Sequence, residues 1–184
     1  MAVHSKYYIN LPNQSFPYLK PNLNVEYLHD VQIHNWVELE TNDYITDEAL
    51  IWFTINGFDI KSKIYLFCAN NNIIGPIHSD LTNYAFNFVL SGYGTMQWIN
   101  PYNKPYITEK VYSNRITKYL TYVPHKNDVI LDTWNGTQGM VQVFTPHRII
   151  TESKKRYTLS LRTHCKQIKS WDQAVQKLLE NTPL

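Results

Sequence analysis

Among the seven histidines of this 184-residue chain, one stands two positions before an acidic residue, in Ile77-His78-Ser79-Asp80. Another, His147, lies far downstream in Thr145-Pro146-His147-Arg148. Two imidazoles and one carboxylate are the ligand set that grips iron(II) on one face and leaves three coordination positions open. On an extended strand, residues two apart point to the same side, so His78 and Asp80 can reach one ion without backbone contortion. One such triplet among seven histidines and fifteen acidic residues is unexceptional on its own. It gains meaning only if a scaffold brings His147 to it. The other histidines, His4, His29, His34, His125 and His164, have no ligand spacing to one another and are read as surface or hydrogen-bonded residues.

A second group of polar residues stands on the last apolar run, Arg156-Tyr157-Thr158-Leu159-Ser160-Leu161-Arg162. Alternation gives Arg156, Thr158, Ser160 and Arg162 one face and Tyr157, Leu159 and Leu161 the other. Two guanidinium groups and two hydroxyls on one face of a strand near a core call for a carboxylate or for solvent. Asp132, in Leu131-Asp132-Thr133-Trp134, is a candidate to orient a histidine ligand from behind.

The elements that must position these residues are mostly strands. From Lys63 onward, short apolar runs alternate with turn residues: Ile64–Cys68, Tyr84–Leu90, Thr95–Ile99, Val111–Ser113, Lys118–Val123, Asp128–Asp132, Met140–Phe144 and Tyr157–Leu161. About eight strands with close turn signals predict antiparallel sheet in a barrel or sandwich, and a jelly roll fits best. His147 is expected at the end of the run Met140–Phe144, projecting into a barrel mouth. Before about Thr41 the chain has little periodicity and is punctuated by Pro12, Pro17 and Pro21, which predicts extended arms and short strands laid over another surface. Thr46 to Gly57 carries a capping residue, early acids and a terminal glycine, hence a helix. Ser170-x-x-Gln173 is a capping box, followed by Trp171, Ala174, Val175, Leu178 and Leu179 at helical spacing. This last helix is expected on the outside of the barrel or at a homodimer contact.

Composition bounds the rest. The length predicts one domain over 1–184, with 1–62 as a covering arm and helix, 63–163 as the core and 164–184 as the C-terminal helix. Fourteen Tyr, seven Phe and five Trp favour strands. A net charge of +2 lacks the clustered basic footprint of a nucleic-acid binder. No apolar stretch is long enough to cross a bilayer as a helix. Cys68 and Cys165 form no metal-binding pair, and with no leader-like N-terminus they are expected as free thiols in the cytoplasm.

His78-x-Asp80, His147 and Arg156-x-Thr158, in that order, resemble the iron(II)/2-oxoglutarate-dependent oxygenase superfamily. Over roughly Lys63 to Arg162, Gly75-Pro76-Ile77-His78-Ser79-Asp80, Leu90-Ser91-Gly92-Tyr93-Gly94 and Val143-Phe144-Thr145-Pro146-His147-Arg148 look like small phage and marine-microbial members of it. The resemblance implies a double-stranded β-helix with iron(II) held by His78, Asp80 and His147. It implies 2-oxoglutarate as co-substrate, its far carboxylate met by Arg156 with help from Thr158, since a guanidinium fork matches a carboxylate and stays charged. Arg162 lies on the same face about 20 Å further along. It is the alternative for that carboxylate, and otherwise an ion-pair partner. The implied reaction is hydroxylation of a small-molecule or peptide substrate, because Asp80 fills the position that halogenating members leave for halide. Two other classes stay open: a cupin-type metal protein with other chemistry, although the His-x-His of cupins is missing, and a non-catalytic jelly-roll binding or structural module, in which His78 and Asp80 are incidental. Trp98 is a candidate pocket residue, with the core as its commoner place.

Overall fold

The apolar runs become strands because β-branched and aromatic side chains pack well on a pleated, half-buried surface. The computed structural model describes residues 5–25, 36–112, 115–152, 154–164 and 168–180. Its strands are β1 (Tyr8–Asn10), β2 (Trp36–Glu40), β3 (Ile60–Ala69), β4 (Ile77–Ser79), β5 (Tyr84–Ser91), β6 (Gly94–Asn100), β7 (Tyr106–Tyr112), β8 (Arg115–Tyr122), β9 (Val129–Trp134), β10 (Gln138–Gln142), β11 (His147–Thr151) and β12 (Arg156–Thr163). The helices are α1 (Thr41–Tyr44), α2 (Asp47–Ile55) and α3 (Trp171–Glu180).

Two antiparallel six-stranded sheets result, ordered β1-β10-β5-β12-β3-β2 and β7-β8-β4-β11-β6-β9. The fold is mainly β, as expected. Strand β3 pairs with β12, β4 with β11, β5 with β10 and β6 with β9. The chain is therefore one long hairpin whose arms pass together from sheet to sheet, which is the winding of a jelly roll. The hairpin β7–β8 is inserted between β6 and β9 and extends the second sheet beyond β4. From the N-terminal segment, β1 and β2 extend the first sheet at its two edges. That segment therefore adds strands to the sheet as well as covering it.

The two faces of the first sheet carry different chemistry. On β12, Tyr157, Leu159 and Leu161 face away from the second sheet and share a core with Ile64, Leu66, Phe86, Phe88, Ala49, Phe53, Trp171 and Leu178. Helices α2 and α3 cover that core. Thr46 caps α2 by accepting the Ala49 N–H at 3.2 Å. Gly57 takes the chain out of the helix at φ +80°. Ser170 caps α3 through the Gln173 N–H at 3.2 Å, while the Gln173 side chain accepts from Lys169 N–H, one residue earlier than a regular capping box.

Between the sheets lies a smaller core of Ala85, Met96, Trp98, Trp134, Val141 and Val143. Trp98 is wholly buried, donates its indole N–H to Gln142 O at 2.7 Å and is stacked by Tyr7 and Tyr8 at 5.6 and 5.8 Å. It belongs to this core. Cys68 is a buried free thiol, while Cys165, His4, His29 and His34 lie outside the described residues. Among the described residues, no helix is long and apolar enough to cross a membrane.

Candidate metal centre

Strand β4 is only three residues long, and His78 is its middle residue. His147 opens β11 and stands directly opposite His78 in the antiparallel register. The run Met140–Phe144 does not extend to it. Strand β10 stops at Gln142, the chain turns through Pro146, and His147 starts a strand of the other sheet. Paired residues present their side chains on one face, so the two imidazoles meet with ring centres 4.4 Å apart. Asp80, just past β4, returns to the same side, with Oδ1 3.8 Å from His78 Nε2.

The three side chains His78, Asp80 and His147 offer ligand atoms that all lie within 4.8 Å of one another. Metal–nitrogen and metal–oxygen bonds of about 2.0–2.2 Å place adjacent ligands about 3 Å apart, so modest side-chain movement closes the set on an ion. The tautomers favour this. His78 Nδ1 lies 3.1 Å from Pro76 O and His147 Nδ1 lies 2.9 Å from Thr145 O. A carbonyl only accepts, so Nδ1 carries the proton in both rings and Nε2 offers its lone pair. Backbone carbonyls thus hold the orienting position considered for Asp132. That residue instead accepts from the Ser5 hydroxyl and from its neighbour Thr133 N–H.

Electrostatics keep His147 and Asp80 in their ligating protonation states. Burial, with the His78 ring next in effect, pushes His147 down to about 3, so it is neutral near pH 7. Burial alone pushes the Asp80 carboxyl upward. The Arg162 guanidinium, paired with and hydrogen-bonded to it, outweighs this and holds it below the ordinary carboxylate range. Arg162 donates to Asp80 Oδ2 at 2.9 Å and to Thr82 Oγ1 at 3.0 Å. One carboxylate oxygen is thereby fixed, and the other remains toward His78.

Since Arg162 reaches Asp80, its face of β12 looks onto the triad. Arg156, Thr158 and Ser160 share that face, and all three are buried. Among the described residues, Arg156 Nε and Thr158 Oγ1 have no hydrogen-bond partner, nor does Oδ1 of Asn87, which pairs with Ser160 on β5. Burial lowers Arg156 to about 10, which leaves it charged at neutral pH. Interior polar groups are nearly always satisfied, so three unsatisfied ones on a single face make that strip exceptional. Asn87 went unnoticed in sequence; its only signal is being the one polar residue in the run Tyr84–Leu90.

No protein-family model matches this chain, and no curated protein matches it in sequence. What the chain has in hand is a jelly roll carrying a His-Asp-His cluster able to hold a metal ion.

Proposed function

We propose that the protein is an iron(II)- and 2-oxoglutarate-dependent oxygenase, a hydroxylase by the resemblance noted above. The observation that carries this reading is Arg156: a buried guanidinium with an unpartnered Nε, next to an unpartnered Thr158 hydroxyl, on the face that looks at the triad. A Cβ on Gly94 would lie 3.0 Å from Arg156 Cδ, so the side chain runs beneath that glycine. In the β6–β11 register Gly94 sits opposite Thr151, and Trp98 opposite His147. Arg156 thus lies about four residues, or about 13 Å, along the strands from the triad. Measured from Cδ, the guanidinium head together with a five-carbon dicarboxylate bound at its other end to the metal can close that span.

Donor chemistry favours iron(II). Two imidazoles and one carboxylate with open positions suit a non-haem ferrous centre better than a closed structural site. When bound, the iron would supply the oxidising chemistry, with molecular oxygen as the oxidant and 2-oxoglutarate as the two-electron reductant. The chain supplies the rest. His78 and His147 offer ring nitrogens, Asp80 offers a carboxylate steadied by Arg162, and Arg156 with Thr158 orients the distal carboxylate and replaces its hydration. Arg162 is committed to Asp80, which leaves Arg156 to the co-substrate.

Anaerobic titration with iron(II) and 2-oxoglutarate, followed by succinate formation in air, tests the proposal. Binding of both, with succinate produced and all three lost in His147→Ala, is the expected result. Binding of metal without 2-oxoglutarate would overturn it.

A further inference from the structure

Beyond the triad, both sheets continue into walls lined with aromatic side chains. On the first sheet, Phe67 pairs with Thr158 and Tyr65 with Ser160, while on the next strand Trp36 pairs with Phe67 and Glu38 with Tyr65. Paired residues share a face, so these side chains lie on the same side as Arg156 and Arg162. The alternate residues Ile64, Leu66, Val37 and Leu39 pack into the helix-covered core, which agrees with that assignment. The rings form a continuous surface: Trp36 and Tyr65 are 5.7 Å apart, and Tyr65 stacks on Phe67 at 6.3 Å. Phe67 is 38% exposed.

On the second sheet, Thr121 pairs with His78. Tyr119, two residues earlier on β8, lies 5.9 Å from the His78 ring. The inserted β7 adds Thr108, whose hydroxyl meets that of Thr121 at 2.7 Å. Both walls belong to strands added at the same edge of the jelly roll, β2 on one sheet and β7–β8 on the other.

We infer that the space between these walls is the substrate slot, and that it takes a small molecule bearing an uncharged planar ring. Deepening the oxygenase reading, this assigns the group presented to the metal. Rings on both walls favour a flat π-surface over an aliphatic chain, because stacked and edge-on contacts add to burial. With Arg156 engaged by the co-substrate, the remaining wall cations do not call for an anion: Arg162 is held by Asp80, and Lys63, next along β3, is paired with Glu40. The Thr108–Thr121 hydroxyls give a ring heteroatom or amide a polar edge to meet.

Saturation-transfer NMR and titration in the presence of zinc(II) and 2-oxoglutarate provide the test. The probes are indole and adenosine, the anions indole-3-acetate and adenosine 5′-monophosphate, and the saturated cyclohexanecarboxamide. Manganese(II) and 2-oxoglutarate affinities are measured on the same preparations. An uncharged ring is expected to bind best, and whichever of indole and adenosine wins identifies the ring type. Trp36→Leu and Tyr119→Leu should each weaken it about tenfold, with metal and 2-oxoglutarate binding unchanged in Trp36→Leu and the unfolding midpoint reporting an intact fold. The inference falls if the saturated amide or the anions bind as well as the uncharged rings, or if neither substitution weakens binding. Failure of 2-oxoglutarate to bind while the rings still do would instead remove the oxygenase reading and leave the slot.

Discussion

Arg162 and Asp80 stand 82 residues apart in the chain and meet through a 2.9 Å contact between Nη2 and Oδ2. The arginine is positioned by the far end of the last strand, the aspartate by the exit of the three-residue β4. Their contact decides which carboxylate oxygen is left for a metal. Arg162→Gln should therefore weaken metal binding about 10–100-fold, the usual effect of losing a group that steadies a ligand. Anaerobic calorimetric titration with manganese(II) measures it. An unchanged affinity would separate Arg162 from the metal site.

Arg156→Leu should have opposite effects on binding and stability. Leucine removes a buried donor that lacks a partner, a group that costs about 1–3 kcal/mol to leave unsatisfied. The metal-free variant is expected to match or exceed the parent in denaturant unfolding while losing 2-oxoglutarate affinity. A variant that unfolds more easily and still binds 2-oxoglutarate would mark Arg156 as purely structural.

Gly94→Ala probes the same channel without touching a charge. The added methyl would clash with Ile150 O and stand 3.0 Å from Arg156 Cδ. To relieve that clash the β6 and β11 backbones must part at this point, and the Arg156 side chain beneath must shift as well. The prediction is a larger loss of 2-oxoglutarate affinity than of manganese(II) affinity, read from the two titrations.

Acid should destabilise the metal-free protein through His147. Its folded value is about 3 against 6.5 for an ordinary histidine. Above pH 6.5 both states are neutral there, and the residue makes no pH-dependent contribution. Below 6.5 the unfolded chain takes up a proton that the folded state refuses, so stability falls by up to about 1.4 kcal/mol per pH unit. The fall continues until the ring itself titrates near 3. Asp80, held below its ordinary 3.8, stays ionised through most of that window. Denaturant curves at pH 7.5, 6 and 5 should show the slope, and His147→Gln should reduce it; an equal slope in both proteins would contradict this assignment.

Much of the scaffold is legible in the sequence because strands with one polar and one apolar face announce themselves by alternation. The run Arg156–Arg162 is the clearest case, its two faces separating into the polar strip and the helix-covered core. Strand β11 was not legible. His147-Arg148-Ile149-Ile150-Thr151 follows a proline and lacks alternation, so His147 looked like the tail of the previous run. The start of β7 at Tyr106 was hidden likewise by its polar Thr108-Glu109-Lys110. At the site, residue types and order pointed to the triad, but the partners that tune it did not show. Arg162 meets Asp80 only because the ends of two strands in different sheets coincide. Pro76 and Thr145 act through backbone carbonyls, which every residue possesses.

The paired-arm winding also sets an order of assembly. The innermost pair, β6 with β9, closes over the β7–β8 insertion, whereas β4 with β11 and β3 with β12 join segments progressively farther apart in the chain. Loop-closure entropy makes such distant pairings slow and late. His78 and His147 lie on the second-outermost pair, so a half-wound chain has no triad to offer. An ion held there would act as a clasp across the nearly finished roll.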